Sequence, residues 1–196
     1  MLKIGITGGI GSGKSTVCRL FAEHGIACYD CDSAAKRLMA EDAALKAAIM
    51  ERFGADSYRD GTLNRPWMAE KVFGDPQARE ALNGLVHPAV TADFLRWADG
   101  QQSPYVVLES AILFEAGLDR HLDRVVAVLA PAVLRLERAM RRDGADADAI
   151  RRRMAAQLDD DTLHERADYA VVNIREEELA ADVAQLDRLF RHAAAL

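Results

Sequence analysis

The chain is 196 residues long, half of them hydrophobic, and carries a formal net charge of −6. This is enough for one compact domain with a sizeable core, and the acidic balance excludes a nucleic-acid binder that relies on a bulk basic field. The three cysteines, an odd number without metal-ligand spacing, suit a reducing cytoplasm rather than a disulfide framework. No apolar run approaches the roughly 20 residues of a membrane span, and the first residues already read as a strand, so neither a membrane anchor nor a signal peptide is expected.

Residues 2–7 read as a short buried strand, followed by Gly8-Gly9-Ile10-Gly11-Ser12-Gly13-Lys14-Ser15 and then Thr16. The string fits G-x-x-x-x-G-K-[ST] at every fixed position. Its glycines let the backbone turn tightly and aim N–H groups at a phosphate, so Gly9, Gly11, Ser12, Gly13 and Thr16 are expected around the phosphates of ATP. Lys14 reaches the β- and γ-phosphates and the Ser15 hydroxyl sits on Mg²⁺. A helix starting near Lys14 adds the positive end of its dipole. A second strand, residues 26–29, ends at Asp30-Cys31-Asp32. Strand, loop, helix and strand in about 30 residues imply a parallel sheet, with ligands beyond the C-terminal ends of its strands. Asp30 and Asp32 alternate, so on extended backbone they point to the same side. One could hold Mg²⁺ through water while the other accepts a proton from an attacking hydroxyl.

Residues 33–100 read as mostly helical, which is too much chain for a simple crossover. One helix is expected over 35–53, a turn at Asp60-Gly61, a helix from near Pro66 to 73, and another over 77–97 that breaks or kinks at Pro88. Such an insertion can form a wall over an acceptor, with Asn64, Arg65 and His87 as its notable polar residues. Residues 105–108 form a buried strand ending at Glu109, where a carboxylate can hold the water shell of Mg²⁺. After a further strand over 124–130, a helix over 133–142 carries Arg135, Arg138, Arg141 and Arg142, and Arg151, Arg152 and Arg153 follow on a second helix. Arginines on a helix–loop–helix are the chemistry of a lid that closes over phosphates and stabilises transition-state charge. A fifth strand over 167–173 and a closing amphipathic helix over 176–196, with Leu179, Val183, Leu186, Leu189 and Phe190 inward, complete the chain. Neither D-x-x-G nor N-K-x-D occurs, which excludes a GTPase. The reading is a small-molecule kinase; another acceptor for the same fold, or a nucleotide-binding regulator without turnover, are the alternatives.

In its ordered strings the chain resembles the dephospho-CoA kinases. Thr7 to Thr16 is similar to that family's opening, and Asp30 and Asp32 followed by Ala35 and Lys36 to its acceptor-side motif. Leu63-Asn64-Arg65, Val72-Phe73, Leu82-Asn83 and His87-Pro88 match its insertion; Ile112 to Glu115, Arg153 to Gln157, and Ala167-Asp168 with Asn173 match its later segments. Three positions depart from it: Lys36 stands where His or Arg is usual, Ala111 where proline is common, and Ile174-Arg175 where a glycine-bearing turn is usual.

The resemblance implies an α/β, three-layer P-loop kinase fold with a five-stranded parallel sheet. The core is expected at 1–32, 101–134 and 167–196, a helical acceptor-binding insertion at about 33–100, and a lid at about 135–166. It implies phosphorylation of the ribose 3′-hydroxyl of dephospho-CoA by ATP with Mg²⁺. Asp32 is then the general base and Lys14, Arg138 and Arg141 complete the catalytic set. Asn173 lies by the adenine of ATP, Asp30, Asp32, Lys36, Arg65 and His87 contact the acceptor, and Ser15 and Glu109 serve the metal. A cytoplasmic enzyme on small molecules, without nucleic-acid or membrane partners, is expected as a monomer or weak homo-oligomer.

Overall fold

A computed structural model describes residues 1–175 and 177–196. In chain order its elements are β1 (Leu2–Thr7), α1 (Lys14–Glu23), β2 (Ala27–Asp30), α2 (Cys31–Glu41), α3 (Ala43–Phe53), β3 (Tyr58–Arg59), β4 (Thr62–Leu63), α4 (Arg65–Val72) and α5 (Pro76–Asp99). They continue as β5 (Tyr105–Glu109), β6 (Arg124–Leu129), α6 (Ala132–Asp143), α7 (Ala147–Ala155), α8 (Asp160–Arg166), β7 (Tyr169–Val172) and α9 (Glu176–Ala194), whose first residue lies outside the described ones. The contacts divide the chain into two compact units, one of residues 1–30 with 98–196 and one of residues 31–97.

The first unit is built on a five-stranded sheet of order β2-β5-β1-β6-β7 in which every pair is parallel. Alternation sends Ile4 and Ile6 of β1, Tyr105 and Val107 of β5, and Val126 and Val128 of β6 into one core with Val17 and Phe21 of α1 and Leu179, Val183 and Phe190 of α9. The Phe190 ring meets Tyr105 at 5.6 Å and Tyr169 at 5.5 Å between centroids, edge to face. The opposite face is closed by the segment after β5: a Cβ at Gly5 would stand 2.6 Å from both Leu113 and Leu122. The fold is the expected α/β arrangement with a five-stranded parallel sheet. Among the described residues no helix is long and apolar enough to cross a membrane.

Local chemistry moved several element boundaries. The helix expected over 35–53 is two helices, because Asp42 ends one and starts the next: its N–H reaches Leu38 O at 2.9 Å, and its carboxylate caps α3 at Leu45 N, 2.8 Å away. Pro88 does not break α5, which runs unbroken from Pro76 to Asp99. Pro88 and Gly84 lie on its exposed side, where water can take over a carbonyl that lost its donor. Asp60 and Gly61, with φ of 49° and 75°, form the expected turn, which joins the short β3–β4 hairpin. On α9, Leu189 is 45% exposed and Asp187 takes the inward place at 5%. The Tyr105 hydroxyl donates to Asp187 at 2.7 Å and Arg191 donates to both its oxygens, so a polar residue fits the core face.

Candidate active site

The phosphate loop connects β1 to α1, and glycine is what its path requires. Gly13 is the residue before α1 and holds φ 98°, ψ 25°, a left-handed conformation. A Cβ there would stand 1.9 Å from the Asn173 amide nitrogen; one at Gly11, φ 77°, would stand 2.1 Å from the Arg135 carbonyl oxygen. The loop is thus packed from outside by α6 and by the exit of β7. Lys14 Nζ donates to the carbonyls of Gly8 and Gly9 at 3.0 and 3.3 Å, which keeps its charge over the loop. The hydroxyls of Thr7 and Ser12 are buried without a hydrogen-bond partner among the described residues, an uncommon cost outside a ligand site. Ser15, the second residue of α1, is exposed.

Asn173 is 4% exposed and joins three segments. Its Nδ2 donates to Ser12 O at 2.8 Å, and its own N–H donates to Leu129 O at 2.7 Å. Arg138 donates to its carbonyl at 3.0 Å and to its Oδ1 at 3.4 Å. Gly13, Thr16, Arg138 and Asn173 line one open cleft of about 160 Å³ beside the start of α1. Arg138 therefore stands at this side cleft, held by the β7 exit, whereas Arg141 is exposed in the last turn of α6. Asp143, which follows them, accepts from Arg142 and from Arg153 of α7, and these guanidinium groups hold its carboxyl down at about 2.

At the C-terminal ends of the neighbouring strands β2 and β5, Asp30 and Glu109 are register partners. The buried Cys18 thiol of α1 is pushed up by its hydrogen bond with Cys28, by burial and by the charge of Glu109, so Glu109 lies close beside α1. Asp30 and Glu109 thus bring two carboxylates to neighbouring strand ends, and carboxylate oxygens are the ligands a hard cation takes. No cluster of three His, Cys, Asp or Glu that could cage a metal occurs among the described residues. Mg²⁺ needs none, since it keeps waters and takes substrate phosphate oxygens.

The expectation that Asp30 and Asp32 share one face of a strand does not hold. The helix α2 starts at Cys31, so Asp30 closes β2 while Asp32 sits in the first turn of α2 and belongs to the second unit. Within that unit Lys36 is exposed on α2, and Arg65 opens α4 behind its cap Asn64, whose side chain accepts from Trp67 N at 3.4 Å. His87 is half-buried on α5, and burial lowers its imidazole from its ordinary value.

Two contacts escaped sequence reasoning. Arg135, only 11% exposed, presses its guanidinium on the loop: a Cβ at Gly9 would stand 1.8 Å from its Nη1. It pairs with Asp160 of α8 at 3.5 Å. Gln157, just past α7, accepts from Ile10 N at 2.8 Å and donates to Ala111 O at 3.1 Å. Arg135 was visible as one arginine of a cluster; nothing in the spacing distinguished it or Gln157.

The dephospho-CoA kinase family model matches residues 2–178. A dephospho-CoA kinase from Salinibacter ruber is 47% identical over 178 residues, covering 88% of this chain and 89% of the relative. A crystal structure from Thermus thermophilus is similar with a TM-score of 0.83 at 33% identity, covering 96% of this chain and 97% of that one. A dephospho-CoA kinase from Campylobacter jejuni, at 22% identity and a TM-score of 0.70 over 97% and 98% of the two chains, shares the fold.

Proposed function

Because the chain belongs to the dephospho-CoA kinase family, we propose that it transfers the terminal phosphoryl group of ATP to the ribose 3′-hydroxyl of dephospho-CoA, releasing coenzyme A and ADP. One observation carries the reading: a family match over residues 2–178 coincides with a phosphate loop held by Arg135, Gln157 and Asn173. In this reading the core comprises residues 1–32, 101–134 and 167–196, residues about 33–100 take the acceptor, and about 135–166 form the lid.

The work of the protein is then positioning and electrostatics. Gly9, Gly11, Ser12, Gly13, Ser15 and Thr16 of the loop and the ammonium of Lys14 surround the phosphates. The helix α1 directs its positive end at them. Arg138 and Asn173 hold the base in the cleft they line with Gly13 and Thr16. Ser15 and Glu109, with Asp30 beside Glu109, are the oxygens that would hold Mg²⁺, which supplies charge neutralisation on the phosphates. Asp32 accepts the proton of the 3′-hydroxyl as the new oxygen–phosphorus bond forms. Lys36, Arg65 and His87 orient the acceptor; Lys36 does so as a point charge rather than through a bidentate fork. Arg141 brings charge from the lid to the transferred group.

The test is ADP release with Mg-ATP against dephospho-CoA, adenosine, AMP, shikimate and water alone. Stimulation by dephospho-CoA only, with a 3′-phosphorylated product, is the expected result. Stimulation by another acceptor would reassign the insertion, and ATP binding without turnover on any of them would make the chain a regulator.

A further inference from the structure

A phosphate loop rich in glycine has little side-chain packing of its own, and fixing each residue costs backbone entropy. Its binding shape has to be imposed by neighbours. Here the crest, Gly9-Ile10-Gly11, is held from the segment that follows β6. Arg135 packs on Gly9 with its guanidinium and on Gly11 with its carbonyl. From outside the loop the crest is also reached by Gln157, whose Oε1 accepts the Ile10 N–H at 2.8 Å across 147 residues of chain. The same amide turns its Nε2 to Ala111 O at 3.1 Å, two residues past Glu109 at the exit of β5. Gln157 is itself fixed: its N–H reaches Met154 O at 3.2 Å, and the next residue, Leu158, donates its N–H to Glu115 at 3.2 Å.

We propose that Gln157 is a positioning residue for nucleotide binding, one amide that sets the phosphate-loop crest at a defined distance from the exit of β5. The two parts it joins are those assigned above to the phosphates and to the cation, so the inference rests on that reading. The Ile10 N–H is thereby committed to Gln157, which fixes the crest between Gly9 and Gly11. Both hydrogen-bonding ends of the amide are used, so a substitute that lacks either end releases one of the two segments. The loop would then reach its binding shape only when ligand arrives, and affinity would fall by the cost of that ordering.

The experiment compares ADP binding by calorimetry, which needs no acceptor, with steady-state kinetics for Gln157→Met and Gln157→Glu. With two hydrogen bonds removed at similar volume, Gln157→Met raises the ADP Kd and the ATP KM by about 10-fold, while the acceptor KM stays within about twofold. Gln157→Glu keeps the acceptor for Ile10 but turns a carboxylate oxygen on Ala111 O. As pH falls and that carboxyl gains a proton it can donate again, so its ADP Kd relative to wild type recovers at low pH while that of Gln157→Met does not. Wild-type ADP affinity in Gln157→Met, or a flat ratio in Gln157→Glu, overturns the inference. If Gln157→Met fails to fold, the pH dependence of Gln157→Glu decides. Absence of ADP binding by the wild type overturns the nucleotide reading and the inference with it, whereas equal binding by wild type and Gln157→Met overturns the inference alone.

Discussion

Replacing Gly11 and Gly25 by alanine, separately, isolates what the packing of Arg135 contributes to the phosphate loop. Both glycines have positive φ, 77° and 79°, so both changes bring similar backbone strain and the same stiffening of the unfolded chain. At Gly25 nothing lies within 4 Å of the new Cβ, so strain is the whole effect. It amounts to about 1–2 kcal/mol, or roughly 2–8 °C in Tm for a chain of this size. At Gly11 the new Cβ starts 2.1 Å from the Arg135 carbonyl oxygen and has to retreat beyond 3.0 Å, against backbone rather than a flexible side-chain end. Overpacking of that kind adds about 1–3 kcal/mol, and a displacement of about 1 Å at a reacting site costs on the order of 100-fold in rate. Gly25→Ala should therefore bind ADP like the wild type, while Gly11→Ala binds it at least about 10-fold more weakly and melts several degrees below Gly25→Ala. Calorimetry with ADP and thermal melts of both variants measure this. Equal melting temperatures together with unchanged ADP affinity in Gly11→Ala would refute the reasoning.

Asp32→Asn should leave ATP binding nearly intact and cut turnover by about 10²–10⁴, since it removes a proton acceptor without touching the phosphate loop; turnover close to wild type in a coupled ADP assay would remove Asp32 from that role. In the buried pair under α9, Tyr105→Phe leaves Asp187 with its Arg191 partner and costs about 1 kcal/mol. Asp187→Ala strands the buried Tyr105 hydroxyl and costs about 1–3 kcal/mol, so its melting temperature should be the lower of the two. His87, lowered by burial, stabilises the fold fully above its ordinary value of about 6.5 and loses that contribution as pH falls through its lowered folded value. Between pH 7 and 5 the wild-type melting temperature should thus fall more steeply than that of His87→Gln, and parallel profiles would contradict a buried neutral imidazole.

Local order in the chain was enough for the phosphate loop, the alternation of strands and helices, and the sense of the sheet, because each depends on residues that are neighbours in sequence. Glycines at positions 8, 9, 11 and 13 permit the tight turns that a phosphate loop makes, and Lys14 and Ser15 follow them on the next helical turn. A strand followed by a crossover helix can only return parallel. Element boundaries were less legible: Asp42 reads equally as one more exposed helix residue or as a cap, and only the Leu45 N–H decides. Leu189 and Asp187 show the same limit, since periodicity ranks leucine inward and cannot see the Tyr105 hydroxyl and Arg191 that let a carboxylate be buried. What tertiary structure alone decided is which distant side chains shape the loop. Asn173 meets Ser12 across 161 residues and Gln157 meets Ile10 across 147, each through one hydrogen bond whose partner is a backbone atom. A backbone N–H or carbonyl carries no residue identity, so no pattern of residue types can announce such a pairing; it exists only once the sheet order β2-β5-β1-β6-β7 has brought the exits of these strands to one edge.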